Sequence, residues 1–389
     1  MYFHQKTRTR TILYECLRQE YSTIASRRHP CSSQIHQLQH HIRKFIPKTM
    51  DKVMALILSM LMAFLNLALH VNAVPPGSAL SSTYYDGLCP GGTKRFQTIA
   101  STIVAAKVIA DPTLIPALAR MCFHDGWVEG SDASVLLDFN SSFPDVEKNS
   151  PANNPSLRGY EVIDAVKSAV EAYCPGVISC ADILQESVRV AFKTLFAGSL
   201  LYNIRYGRRD GSISLITEAN QQLPPPTFNY SQLITSFASK GFNAHELMVL
   251  SGAHTFGVSH CSSFTSRLYN FYGNGTGTDP ALDPTYAFAL KVACPQTATV
   301  DGIVPLDYAK PIITLPSFDN QYYKNILAGK VLFISDNALQ VGDLAEVNLY
   351  ASNNNQFRND FAQAIVKLSE VQVKLYPNGQ IRANCRKRN

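Results

Sequence analysis

Residues 120–134 read Arg120-Met-Cys-Phe-His124-Asp125-Gly-Trp-Val-Glu-Gly-Ser-Asp132-Ala-Ser134. An arginine and a histidine stand four positions apart, which on a helix puts them one turn apart on one face. Asp125, Asp132 and Ser134 then cluster around Gly130 in a loop rich in oxygen donors. Such a loop suits Ca²⁺, a hard cation that takes roughly six to eight oxygens, backbone carbonyls included. One short stretch thus joins an acid/base pair to the donors of a cation site. Taken alone, it is equally a charged helix end running into a polar loop.

The chain of 389 residues allows one large domain or two smaller ones, with ample apolar content for a core. Its formal net charge of +6 is unevenly placed: residues 1–49 carry nine Lys/Arg against Glu15 and Glu20, a net of +7, which leaves the remainder near −1. A nearly neutral globular part argues against a nucleic-acid partner. Met50-Asp-Lys-Val53 precedes the apolar run Met54–Leu69 and then Val71-Asn-Ala73, the layout of a secretory signal peptide cut after Ala73. The run is short for a membrane span of about 20 residues, so no stable membrane insertion is expected after cleavage. Residues 1–49 then read as a basic extension, disordered or an artefact of the gene model, 50–73 as the signal, and 74–389 as the working domain.

Nine cysteines fit an oxidising destination. Cys16 and Cys31 lie in the extension. Seven remain, of which six can pair, and spacing alone does not say which. Sequons at Asn140, Asn229 and Asn274 are compatible with glycosylation on the same route.

Beyond Ala73 the apolar periodicity is helical. Helices are expected at Gln97–Ala110, from Asp111 (as cap, with Pro112 in the first position) through His124, at Gly159–Ala172, at Ser179–Phe196 and at Ser231–Lys240. Asn243-Ala-His-Glu246 resembles a capping box and opens another, which runs into Ser251-Gly-Ala-His254-Thr-Phe-Gly257. Two more are expected, at Phe318–Leu327 and near Phe361–Leu368. Residues 138–157 form a long loop, and Leu223-Pro-Pro-Pro226 must be extended. The fold class is mainly α, ten or more helices with very little β. His124 and His254 both stand at helix ends beside small residues, which suggests a cofactor held between two helices.

From about Leu80 to Cys385 the chain resembles the secreted plant-type (class III) haem peroxidases. The resemblance is carried by Tyr84-Tyr-Asp-Gly-Leu-Cys-Pro90, Arg120…His124-Asp125, Gly130-x-Asp-Ala-Ser-Val-Leu-Leu137 and Ser156-Leu-Arg-Gly159. It continues through Cys174-Pro…Ser179-Cys-Ala-Asp182, Gly207-Arg-Arg-Asp210, Ser251–Gly257, Phe318-Asp-Asn-x-Tyr-Tyr323 and Asn384-Cys-Arg386. It implies two helical halves around one haem b. His254 would be the axial ligand of the iron and Asp336 the carboxylate behind it. His124 would be the base that moves a proton on H₂O₂, Arg120 the stabiliser of developing charge, and Asn153 the amide orienting His124. Pro224 would touch small phenolic donors, oxidised in one-electron steps.

The resemblance also implies two Ca²⁺. The first would be held by Asp125, Val128, Gly130, Asp132 and Ser134, with Glu147 acting through water. The second would be held by Thr255, Asp307, Asp319 and an intervening Thr, for which Thr314 fits counting back from Asp319 and Lys310 stands at the alternative position. The implied bridges are Cys89–Cys174, Cys180–Cys385 and Cys261–Cys294, leaving Cys122 as a buried thiol on the core side of its helix. The product would be a secreted monomer of the cell exterior, wall or vacuole.

The family pairs two cysteines across the first calcium loop, and here those positions are Gly126 and Ser131. Closing so small a ring contributes about 2 kcal/mol, so without it the calcium is expected to bear more of the work of holding His124. An active peroxidase is the leading expectation. The alternatives are a haem- and calcium-binding wall protein with weak or no activity, and a metal-dependent hydrolase using His124, Asp125 and His254.

Overall fold

The helical periodicity resolves into thirteen α-helices among the described residues of the computed structural model, which are 79–198, 201–308 and 316–389. The basic extension, the signal peptide, Lys310 and Thr314 lie outside them.

The first four helices build the main body. α1 (Gly92–Ala110), α2 (Leu114–Trp127) and α3 (Tyr160–Glu171) each pack on α4 (Cys180–Leu195). Every residue of α4 from Cys180 to Phe192 is buried, so this helix is the axis of the core. Its start is set by Ser179, whose Oγ accepts from the Asp182 amide at 3.0 Å, a serine N-cap. At the preceding boundary the sequence expectation needs correcting. Asp111 Oδ1 accepts from the Thr113 amide at 3.0 Å and closes a local turn, and α2 begins only at Leu114.

Leu223 has φ −67° and ψ 125°, the extended backbone that the proline run demands. It follows α5 (Ile216–Gln222) and leads to α6 (Tyr230–Ser239). α7 (Ala244–Ser251) opens on a complete capping box: Asn243 Oδ1 accepts from the Glu246 amide (2.8 Å), and Glu246 Oε2 accepts from the Asn243 amide (2.9 Å).

A short antiparallel pair follows, β1 (Val258–His260) against β2 (Ile303–Pro305), with Ser259 opposite Val304. Around it α8 (Thr265–Tyr269) and α9 (Pro284–Ala293) form a second, smaller core with Phe264, Leu268, Leu290 and Phe333. α10 (Gln321–Leu327), α11 (Ile334–Gly342), α12 (Leu344–Ser352) and α13 (Asn354–Ser369) complete the fold. α13 packs on both α2 and α7 and so links the two histidine-bearing segments. The three disulfides among the described residues are Cys89–Cys174, Cys180–Cys385 and Cys261–Cys294. Cys122 is the free thiol of the described residues, fully buried with Sγ 3.1 Å from Gln185 Oε1, and burial pushes its pKa up to about 12.

Candidate active site

α2 delivers Arg120 and His124 one turn apart, and the long loop after it supplies the groups that hold them. Arg120 donates to Ser156 Oγ (3.0 Å) and to the Ala152 carbonyl (2.6 Å). Burial lowers its pKa to about 10, which leaves it charged at neutral pH. His124 is 9% exposed, with Nδ1 2.6 Å from Asn153 Oδ1.

The far end of that amide decides the tautomer. Asn153 Nδ2 donates to the Glu147 carbonyl at 2.7 Å, so the oxygen faces the ring and can only accept. Nδ1 therefore carries the proton and Nε2 the lone pair. Burial, reinforced by the Arg120 charge, pushes the His124 pKa down to about 3, so the ring is neutral and basic at Nε2. Phe123 stacks on Trp127 (centroids 4.4 Å), whose Nε1 donates to Ser236 Oγ at 3.2 Å; this locks α2 against α6.

The loop that follows concentrates buried negative charge. Asp125, Asp132 and Glu147 are all 0% exposed. Asp125 Oδ2 accepts from the Ala133 amide (3.0 Å) and Asp132 Oδ1 from the Ser134 amide (2.9 Å). Asp125 Oδ1, Ser134 Oγ and both Glu147 carboxylate oxygens are buried without a hydrogen-bond partner. Burial, with like charge from the neighbouring carboxylates, holds Asp125 and Glu147 well above the usual carboxylate range. Buried carboxylate and hydroxyl oxygens without a hydrogen-bond partner are the donor chemistry of a cation site. Among the described residues, no three His, Cys, Asp or Glu side chains converge as a metal cluster. A cation here would need the Ser134 hydroxyl and the carbonyls of residues such as Val128 and Gly130, a donor set that suits Ca²⁺.

Across the fold, His254 stands in the tight turn after α7 with Nδ1 2.7 Å from Asp336 Oδ1. A carboxylate accepts, so Nδ1 again donates and Nε2 holds the lone pair. Asp336 is 3% exposed and also accepts from Tyr322 Oη (2.8 Å, on Oδ1) and from the Phe333 amide (3.0 Å, on Oδ2). The His254 side chain is 38% exposed, though Tyr322 and Phe333 pack edge-on around it. Pro224 is half-buried, and two residues on, the Pro226 carbonyl accepts from the Ser335 amide at 3.0 Å, beside Asp336.

Of the second calcium set, Thr255 Oγ1 donates to Asp319 Oδ1 (3.2 Å), while Asp307 Oδ1 accepts from Asn325 Nδ2 (2.8 Å). Thr314 falls outside the described residues, so this set stays incomplete. Sequence reasoning missed Ser156, Tyr322 and Lys374. Tyr322 was visible inside the Phe318–Tyr323 motif, and Ser156 opened another quoted motif. Lys374, which donates to Asp132 Oδ2 at 2.5 Å, had no signal, because its partner lies far away in the chain.

A family model described as Peroxidase matches residues 100–353. The chain is 48% identical to Peroxidase 5 of Vitis vinifera over 281 residues, covering 72% of this chain and 83% of that protein. It is 41% identical to Peroxidase 3 of Arabidopsis thaliana over 315 residues (80% and 92%) and 40% identical to Peroxidase 2 of Zea mays over 328 residues (83% and 93%).

Proposed function

The chain belongs to the plant (class III) peroxidase family and is a peroxidase, and on that premise we propose which of its residues carry the reaction and what it acts on. The observation that carries the reading is the pair of matched tautomers: His124 and His254 both donate from Nδ1 to a fixed acceptor and so keep a basic Nε2.

The family implies haem and calcium. The residues fit one haem b: His254, partly exposed and backed through Nδ1 by the buried Asp336 carboxylate, would hold the iron. When bound, the iron supplies the redox chemistry that breaks the O–O bond of H₂O₂ and then draws single electrons from a donor. Asp336 keeps His254 oriented and electron-rich, and Tyr322 moderates the carboxylate by donating to the same oxygen.

On the other side, His124 Nε2 takes the proton from one oxygen of H₂O₂ and returns it to the other, which departs as water. Arg120, charged and held by Ser156 and Ala152, stabilises the negative charge on the departing oxygen. Asn153 positions His124. Two Ca²⁺ are proposed, one in the Asp125–Ser134 loop with Glu147, the other at Thr255, Asp307, Asp319 and Thr314. The unpartnered buried oxygens of the first set support it.

The donors proposed are small phenols, reached at the edge marked by Pro224. The location proposed is extracellular, with the protein a monomer. Three disulfides and exposed Asn140, Asn229 and Asn274 support secretion, and no helix of the described residues is long and apolar enough to cross a membrane.

The test is the absorption spectrum and turnover of the purified secreted protein. A Soret band together with guaiacol oxidation on adding H₂O₂ is expected. A Soret band without turnover would return the weakly catalytic alternative, and no Soret band in any preparation would sink the assignment of His254.

A further inference from the structure

The loop Asp125–Ser134 is strapped from outside by residues 368–374, which run from the last turn of α13 into the segment after it. Ser131 is held twice: its amide donates to the Val371 carbonyl (2.9 Å) and its Oγ to the Leu368 carbonyl (2.8 Å). Gly130 has φ +92°, and a Cβ there would stand 2.6 Å from the Gln372 carbonyl, so loop and strap meet backbone to backbone. Lys374 ends the strap. Its Nζ donates to Asp132 Oδ2 (2.5 Å), Glu129 Oε2 (3.2 Å) and the Glu129 carbonyl (3.1 Å). The lysine side chain is 23% exposed and Asp132 0%, so the charge sits at the rim of the carboxylate cluster.

Asp125, Asp132 and Glu147 are buried and lie within electrostatic reach of one another. Lys374, which Asp132 shares with Glu129, adds a fixed positive charge on the oxygen of Asp132 opposite the one that faces Ser134. A fixed ammonium so close repels an incoming cation while attracting the loop itself, and Ca²⁺ affinity is tuned by the net charge of its site.

We propose that Lys374 is a built-in counter-ion of this loop, which keeps it closed when calcium is absent and makes the calcium exchangeable. The inference rests on the reading of Asp125–Ser134 as a calcium site. The chain thereby has a loop whose metal can come and go with the surrounding Ca²⁺ concentration, without collapse of the segment that carries His124.

The experiment measures Ca²⁺ binding by calorimetry, and the melting temperature with and without Ca²⁺, on the purified holoenzyme. Wild type is compared with Lys374→Met, Lys374→Gln and Lys374→Arg, and Asp125→Asn identifies which binding step belongs to this loop. The expected result is a tenfold or greater tightening of that step in Lys374→Met and Lys374→Gln, with wild-type affinity in Lys374→Arg. The calcium-free forms of the two neutral variants should melt below calcium-free wild type. Should Met disturb folding, Gln keeps the length and polarity while removing the charge. Equal affinity and equal calcium-free melting in wild type and both neutral variants would overturn the role of Lys374. A binding step that Asp125→Asn leaves intact would instead overturn the calcium reading of the loop, with the Lys374 inference falling alongside it.

Discussion

The ring of His124 and the amide of Asn153 meet across 2.6 Å, Nδ1 to Oδ1, and the amide is pinned at its other end by the Glu147 carbonyl. Asn153→Val removes the acceptor and frees the ring to take the other tautomer. Stopped-flow reduction of H₂O₂ should slow on the order of 10-fold, less than the roughly 10²–10⁴-fold expected for His124→Leu, which removes the base itself. Haem content should stay at the wild-type level. An Asn153→Val enzyme running at full speed would discard the tautomer argument.

The pH dependence follows from the same ring. Burial first, and Arg120 second, place the His124 pKa at about 3, well below the ordinary 6.5. The base form therefore persists into acid, and the rate constant for H₂O₂ should be flat from pH 8 to about 5, falling only toward 3. Arg120→Leu removes the second cause and should move this acid limb upward. Stability carries the matching sign. Between about 3 and 6.5 the unfolded chain binds a proton that the folded chain refuses, so ΔG of unfolding falls as pH falls through that window. His124→Leu should flatten this part of the acid denaturation profile.

Asp336 and Tyr322 should have opposite effects on His254. An amide accepts more weakly than a carboxylate, so Asp336→Asn leaves the imidazole less electron-donating. Tyr322 donates to the same Asp336 oxygen that receives His254, so Tyr322→Phe concentrates charge there and strengthens the pull on Nδ1–H. Potentiometry of the haem-loaded variants should show the iron midpoint raised in the first and lowered in the second. Shifts in the same direction would refute this account of the shared oxygen.

A bridge between positions 126 and 131 can be rebuilt. A Cβ on Gly126 would stand 3.2 Å from the Ser131 Oγ, within reach of a disulfide, with Leu368 Cδ1 at 3.0 Å having to give slightly. Closing this small ring contributes about 2 kcal/mol. Losing the Ser131–Leu368 hydrogen bond costs about 1 kcal/mol. Gly126→Cys/Ser131→Cys should therefore gain about 1 kcal/mol, seen as a melting temperature raised by roughly 1–2 °C in the oxidised form and not in the reduced form. Mass spectrometry of the unreduced digest checks that the bridge has formed.

Helices with a local start signal were legible in the sequence. Asn243 with Glu246, and Ser179 before α4, marked their helices to within a residue or two, because a cap and its partner lie three positions apart. The same kind of signal misled at Asp111, where the side chain served a turn, and went unread at Asp283-Pro284, where it caps α9. α11, α12 and α13 follow each other with a single residue between, so periodicity alone revealed only the second half of α13. At the site, Arg120, His124 and His254 could be picked out from spacing and motif. Lys374 could not, and neither could the ties that Ser131 and Lys374 add to the loop. Their partners are fixed only by the folded chain.

The strap has a consequence for the order in which the protein is made. Lys374 lies 242 positions beyond Asp132, Leu368 lies 237 beyond Ser131, and Cys385 closes on Cys180 across 205. Synthesis runs from the N-terminus, so α1 to α4 emerge and can pack long before these contacts exist. The acidic loop beside His124 waits, unfastened, for the last residues of the chain to leave the ribosome. Termination just upstream of Leu368 would yield a protein with nearly all of its helices and without the Leu368, Val371 and Lys374 ties that fasten this loop.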